Sequence, residues 1–170
     1  RFWWEVDNND ISKEYRLDNK KWVSYLKGGP FKKWYGNIWL LINWQNNGIG
    51  VKNYSGTNMR NENSYFKEGI AGTLLSSKGP SFRYQPTNTI YDSTTRSLFL
   101  NEDNNIFYNL GFLNTKLAVY IMNCLNSTVV INSNDIHRIP FTQPPKDIEN
   151  KVTQFAEENV SIKKHLCEFS

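Results

Sequence analysis

The sequence has few of the residues on which several protein classes depend. Its two cysteines, Cys124 and Cys167, cannot build the disulfide framework of a small secreted domain. No apolar run reaches the roughly 18 residues needed to cross a bilayer, so we expect no membrane partner. The chain lacks a signal-peptide pattern and starts inside an apolar run. These features favour a piece of a larger cytoplasmic protein.

Catalytic and metal-binding motifs are equally scarce. His137 and His165 are too far apart in the sequence to predict a metal set. Gly48-Ile-Gly50 lacks the third glycine and the following helix of a dinucleotide-binding fingerprint. The Gln-Pro-Pro-Lys stretch at 143–146 lacks the first residue and the aromatic of the Asn/Asp-Pro-Pro-aromatic motif of amino methyltransferases. We therefore expect no catalytic residue, cofactor or metal in this chain.

Positive charge is concentrated in one segment. The whole chain of 170 residues has a formal net charge of +4. Seven basic and two acidic residues between Lys13 and Lys33 give that segment a local net charge of +5, which leaves −1 for the rest of the chain. Such a segment attracts a polyanion. A solvated face with lysines for solubility is the alternative interpretation.

Hydrophobic patterning predicts short strands first and helices later. Strands are expected at residues 22–26, 38–44, 70–76, 82–85, 89–91, 97–100 and 128–131. The continuous apolar run at 38–44 predicts a buried central strand. Asn114 or Thr115 can cap one helix, and Asp147 can cap a final one. This order predicts an α+β fold with a mixed, mainly antiparallel sheet of short strands followed by helices.

The final helix is predicted to extend beyond its own domain. At roughly 1.5 Å per residue it is over 30 Å long, more than one domain face covers. We therefore divide the chain into a domain at 1–145 and a C-terminal helix at 146–170 that docks partly on missing parts of a longer chain. Leu166 and Phe169 should then be more exposed than Val152 and Phe155.

Several blocks of the sequence, taken in order, resemble one protein family. They are KWVSYLKGGPFKKWYGN (21–37), INW (42–44), YFKEGI (65–70), SFRYQP (81–86), LGFLNTKLAVYIMNCLN (110–126) and NDIHRIPF (134–141). Together they are similar to the C-terminal specificity region of the adenine-specific DNA methyltransferases of BREX phage-defence systems, which are relatives of single-chain type II restriction–modification methylases. The resemblance covers almost the whole chain.

The resemblance implies a target recognition domain. Such a domain holds duplex DNA while a methyltransferase domain, missing from this chain, binds S-adenosylmethionine and flips the adenine. The expected partners are double-stranded DNA, that missing domain and other proteins of a defence complex. Cations would contact phosphates, and planar or bidentate groups would read base edges. The candidate DNA-binding residues are Lys20, Lys21, Lys27, Gly28, Gly29, Lys32, Lys33, Asn58, Arg60, Arg83 and Gln85.

Structural roles remain open for several of these residues. Gly28 and Gly29 fit a tight hairpin turn as well as a close approach to a phosphate. We expect Lys27, Lys32 and Lys33 to lie at the rim of one basic face. Arg83 alternates with Phe82 and Tyr84 on its predicted strand, so it should point outward, toward DNA or a surface ion pair.

Two other function classes compete with DNA recognition. Six tryptophans and nine tyrosines, with many asparagines, also suit a carbohydrate-binding module, although the basic segment disfavours it. A protein–protein interaction module of a defence complex would instead use the final helix as its docking face.

Overall fold

The chain folds into two three-stranded sheets and a set of mostly late helices. A computed structural model describes residues 1–101 and 104–168. The strands are β1 (Trp22–Leu26), β2 (Leu40–Asn43), β3 (Gly69–Thr73), β4 (Phe82–Gln85), β5 (Thr89–Tyr91) and β6 (Thr95–Leu98). The helices are α1 (Tyr15–Asp18), α2 (Gln45–Lys52), α3 (Ile106–Leu113), α4 (Lys116–Leu125), α5 (Ser133–His137) and α6 (Lys146–Glu168). The predicted α+β class is confirmed.

The first sheet has the order β2-β1-β5, with β1 in the centre. Strand β1 is antiparallel to β2 and parallel to β5. The prediction of a central strand at 38–44 is therefore wrong, because β2 lies at the edge of its sheet. Its apolar run is nevertheless covered, since the N-terminal residues lie along that edge: Leu41 N donates to the carbonyl of Arg1, and Phe2 bridges Leu40.

The second sheet has the order β4-β3-β6 and is antiparallel throughout. One of its faces packs against the late helices around a buried cluster of apolar side chains. That cluster consists of Ile70, Phe82, Leu110, Leu113, Met122, Ile131, Ile136, Ile139 and Val160. A separate cluster of Val23, Trp44, Tyr65 and Ile90 belongs to the first sheet. The two sheets thus have separate apolar cores.

Helix α3 was missed by the sequence patterns and connects the second sheet to α6. The side chain of Asn105 caps it by accepting hydrogen bonds from the backbone N–H groups of Phe107 and Tyr108. Helix α6 approaches α3 so closely at Gly111 that a Cβ there would lie 2.7 Å from Cγ1 of Val152. A larger residue at this crossing would require Val152 or one of the two helices to shift.

The outcome for α6 differs from the prediction. Leu166 is 61% exposed as expected, but Phe155 is 63% exposed, so the expected contrast between them is wrong. Val152 is half-buried, and Phe169 lies outside the described residues. The apolar side chains follow two different faces of the helix, and α3 covers only one of them. Docking of this helix on another part of a longer chain stays a prediction.

The predicted strand at 128–131 is also wrong. Val130 forms only an isolated bridge with Leu75. The side chain of Asn126 makes three hydrogen bonds within this loop. Its oxygen accepts from the backbone N–H and the hydroxyl of Thr128, and its amide donates to the carbonyl of Val130. Such local bonds hold a turn in place of a strand pairing.

Candidate nucleic-acid interface

A cleft of about 780 Å³ is lined by residues of both sheets. Tyr25 of β1 and Ile90 of β5 belong to one wall, and residues 95–97 of β6 belong to the other. The loop at residues 56–61 and the turn at 92–93 also line it. Segments that are far apart in the sequence therefore meet at one concave surface.

The 56–61 loop contributes two of the predicted base-reading residues, Asn58 and Arg60. Both side chains are exposed and both line the cleft. Met59, between them, packs on the apolar cluster that contains Trp44 and so anchors the loop. Within the described residues, neither Asn58 nor Arg60 makes a side-chain hydrogen bond or an ion pair, which leaves their polar groups available to a ligand.

Arg96 of β6 lies in the same cleft and was missed by the sequence patterns. Its Nη1 donates to the carbonyl of Ser93 at 3.0 Å, and its Nε donates to the carbonyl of Ile131 at 3.3 Å. No carboxylate among the described residues forms an ion pair with it. The guanidinium is thus held in place with its charge unneutralised. The predicted strand began at 97, which excluded this residue from consideration.

Three tyrosines, Tyr25, Tyr65 and Tyr91, supply aromatic surface and hydroxyl groups to the cleft. Burial raises the pKa of Tyr25 to about 12, with the nearby charges of Asp92 and Tyr65 adding to the effect. Burial also raises the pKa of Tyr65 and that of Tyr91. All three hydroxyls are neutral at pH 7, as an ordinary tyrosine is, and the Tyr91 hydroxyl is already hydrogen-bonded to Ser64.

The groups in this cleft are those that recognise nucleobases. Arginine and asparagine side chains present paired donors and acceptors that match base edges. Neutral tyrosines offer ring faces for stacking together with hydroxyl donors. One oxygen of Asp92, the acidic member of the lining, is used within its own turn, because Oδ1 accepts from the backbone N–H and the hydroxyl of Thr94.

The basic segment predicted from the sequence is divided by the fold. Lys20 and Lys21 precede β1, and Lys27 follows it. At about 3.3 Å per residue, the six-residue step from Lys21 to Lys27 spans roughly 20 Å. Lys21 lies over the ring of Trp22, at 5.3 Å from its centroid. Lys20 and Lys21 therefore lie at the opposite end of the strand from Lys27.

Lys32 and Lys33 also take different positions from each other. Nζ of Lys32 lies 5.7 Å from the ring centroid of Trp39. Nζ of Lys33 donates at 2.8 Å to the carbonyl of Asn114, at the end of α3, and burial lowers its pKa. The expectation that Lys27, Lys32 and Lys33 share one rim is wrong for Lys33, because that ammonium group satisfies a helix-end carbonyl.

Gly28 and Gly29 border a second, smaller cavity of about 340 Å³, which Lys27 and Trp39 also line. The backbone N–H of Gly28 is already used, since it donates to Oγ1 of Thr94 at 2.9 Å. Gly29 has a φ of 143°, and a Cβ there would lie 3.1 Å from Nδ2 of Asn37. These contacts support the turn interpretation of both glycines.

Arg83 and Gln85 do not point outward. Arg83 is 2% exposed, and its Nη1 donates to Oγ1 of Thr73 at 3.0 Å and to the carbonyl of Lys32 at 3.4 Å. Burial lowers its pKa to about 10. Gln85 is fully buried, and its Oε1 accepts from the hydroxyl of Ser97 at 2.6 Å. Strand β4 is buried on both faces, so alternation with Phe82 did not place Arg83 at the surface.

Two features are absent from the part of the chain that the structure describes. No helix there is long and apolar enough to span a membrane. No group of three or more His, Cys, Asp or Glu side chains there is arranged to hold a metal ion.

Comparison with known proteins identifies relatives of the chain. No protein-family profile matches it. It is 32% identical, over 154 residues and 84% of its length, to the adenine-specific methyltransferase PglX of Lacticaseibacillus casei (strain Zhang). It is 30% identical, over 166 residues and 96% of its length, to the adenine-specific methyltransferase BrxX of Escherichia coli O9:H4 (strain HS).

The chain spans only 13% of the length of each of these two relatives. The matches fit a fragment of a BREX-type adenine-specific methyltransferase. The resemblance predicted from the sequence blocks is thereby confirmed, for a segment that is small compared with either relative.

Proposed function

We propose that this chain is a DNA target recognition domain, without catalytic groups of its own, of a larger adenine-N6 DNA methyltransferase in phage defence or restriction–modification. The observation that carries the proposal is the cleft between the two sheets. There Arg60, Arg96 and Asn58 present polar groups without a carboxylate partner among the described residues. Similarity to two adenine-specific methyltransferases supports the assignment to such a parent.

In this proposal the chemistry belongs to the rest of the parent protein. S-adenosylmethionine would be bound, and the adenine flipped, by a methyltransferase domain outside these 170 residues. This chain would fix the position of the duplex through phosphate contacts and select the sequence through base contacts.

The phosphate contacts are assigned to Lys27, which lines the smaller cavity beside the turn at 92–94, and to Lys32, whose Nζ lies over the ring of Trp39 in that same lining. Asp92 and Ser93 of that turn line the cleft, while Thr94 lines the smaller cavity beside Lys27. A duplex lying across the turn would thus meet both lysines and the mouth of the cleft. Lys33 is excluded because its ammonium group is committed to α3.

We expect the chain alone to bind duplex DNA weakly, with a dissociation constant on the order of 10⁻⁴ to 10⁻⁶ M at physiological salt. Replacing Lys27 and Lys32 together by alanine should weaken binding equally for all sequences. It should also reduce the slope of log affinity against log salt concentration by about two units, since each lost phosphate contact removes nearly one unit. Fluorescence anisotropy with a labelled duplex, at several salt concentrations, measures both quantities.

The matched control replaces Lys116 and Lys151 by alanine. These exposed lysines lie on α4 and α6, and their removal changes the net charge by the same amount. The control should retain the wild-type slope. If both double variants reduce the salt-dependence slope equally, the effect is one of general charge and not of specific phosphate contacts. If the wild type binds no DNA even at low salt, the proposed function is contradicted.

A further inference from the structure

Helix α6 carries an apolar stripe that the described part of this chain leaves uncovered. Its members are Ile148, Phe155, Asn159, Ile162 and Leu166, and we call them the outer stripe. The four apolar members are 47%, 63%, 60% and 61% exposed, in chain order. With the half-buried Val152 included, the spacing alternates between four and three residues over almost three heptads. This is the a and d pattern of a coiled coil.

The outer stripe borders the face of α6 that packs on the domain, and Val152 lies between the two. Glu149, Ala156 and Val160 are buried on that second face, and Val152 lies against Gly111 of α3. At 100° per residue, the centres of the two faces are roughly 100° apart around the helix axis. A partner helix on the outer stripe would therefore lie beside α3 without displacing it.

We infer that the outer stripe is the seam of a parallel two-stranded coiled coil formed with a second copy of this chain. In the heptad frame, Asn159 occupies the central a position between d-position residues Phe155 and Ile162. A single asparagine at an a position favours pairing with its equivalent in a two-stranded, in-register coil. Asn159 is half-buried, and its amide donates to the carbonyl of Phe155 in the single chain.

The charges beside the seam are self-complementary in that arrangement. Glu158 occupies a g position and Lys163 the following e position, and both side chains are exposed. In a parallel pair of helices, the g residue of one faces the next e residue of the other. Two symmetry-related Glu158–Lys163 pairs would form, while Lys151 at the preceding g position would face the uncharged Ala156.

In this dimer, the α3 helices of the two copies lie on opposite sides of the paired α6 helices. Each body lies on the α3 side of its own helix, roughly perpendicular to the direction of the partner helix. A two-fold axis along the seam therefore places the bodies on opposite sides of the plane that contains both helices. The described seam, from Ile148 to Leu166, spans only about 28 Å, so we expect a weak dimer, with a dissociation constant in the range of roughly 10 to 100 μM.

Sedimentation equilibrium of the chain tests the seam. The wild type should show a monomer–dimer equilibrium, and Phe155→Asp should raise the dissociation constant at least tenfold, because it places two carboxylates in an apolar seam. The matched control is Leu117→Asp, which changes an equally exposed leucine on α4 and should leave the equilibrium unchanged. Circular dichroism verifies that both variants retain the fold.

A charge exchange tests the parallel, in-register arrangement. Glu158→Lys alone and Lys163→Glu alone should each weaken the dimer by roughly three- to tenfold, since each creates two like-charge pairs. The variant with both changes should restore the wild-type dissociation constant of the dimer. Neither an antiparallel pair of helices nor binding to an unrelated helix would explain that recovery.

Three results would overturn the inference. If the chain stays monomeric at several hundred micromolar, it does not form the coiled coil. The outer stripe would then be expected to dock on another part of the parent protein. A dimer insensitive to Phe155→Asp would place the interface elsewhere. A failure of the double charge variant to recover would exclude the parallel register.

Discussion

Replacing Arg60 by alanine in the proposed parent methyltransferase is expected to reduce discrimination between its target and a duplex with one substituted base pair by roughly 5- to 150-fold. The side chain is exposed at the cleft and is unpaired within the described residues. Its loss should therefore remove a base contact with little effect on folding. A bidentate arginine–guanine contact contributes about 1–3 kcal/mol to such discrimination.

The measurement for Arg60 has two stages. Sequencing of methylated adenines first defines the target of the wild-type enzyme, and methylation rates are then compared between that target and its single-base variants. Arg16→Ala is the matched control, because Arg16 is an exposed arginine on α1 that does not line the cleft. If Arg60→Ala keeps the wild-type rate ratios at every target position, this arginine reads no base.

Replacing Asn114 by alanine is expected to lower the free energy of unfolding by about 2–4 kcal/mol. The side chain of Asn114 is buried and accepts a hydrogen bond from the backbone N–H of Phe82 at 3.1 Å. It also donates to the Phe82 carbonyl at 2.9 Å. The variant would leave that N–H buried without a partner, whereas the carbonyl keeps the bond from Trp34 N.

Urea denaturation measures the effect of the Asn114 change, with Asn123→Ala as the control. Asn123 is exposed on α4, where alanine is the better helix former, so its replacement should leave stability unchanged or slightly increased. If Asn114→Ala lowers the free energy of unfolding by less than about 0.5 kcal/mol, the two hydrogen bonds between Asn114 and Phe82 do not hold the end of α3 against β4.

The elements set by local patterns were predictable from the sequence. Strands β1, β4 and β5 begin and end at the predicted residues, and Thr115 caps α4 by accepting from Ala118 N. These features depend on side-chain alternation, turn residues and caps within a few positions of each other. The final helix begins at Lys146, directly after the two prolines, so the prediction that Asp147 caps it is wrong and Asp147 lies in its first turn.

The positions of the charged residues were not predictable in the same way. Arg83 contacts Thr73 and the carbonyl of Lys32, which is 51 residues away in the sequence. Lys33 reaches Asn114, 81 residues away. No local pattern shows that a second layer covers strand β4. The sequence therefore indicated which side chains could bind DNA, but not which of them the fold uses internally.

The cleft itself results from long-range contacts. Asn58 and Arg60 were predicted from residue type alone, and the fold brings them together with Arg96 through the pairing of distant strands. Its tyrosines belong to β1, β5 and the segment before β3, so no single stretch of sequence contains the site.

Titration of the isotope-labelled chain with duplex DNA, followed by NMR at low salt, tests most directly whether the cleft faces DNA. We expect progressive shifts of the backbone amide signals of residues 56–61 and 95–97. The side-chain Nε signals of Arg60 and Arg96 should shift with them. Signals of α6 should stay in place. Two results would contradict this expectation. One is a set of shifts confined to α6. The other is the absence of shifts at DNA concentrations above 1 mM, which is about ten times the weakest dissociation constant expected for nonspecific binding.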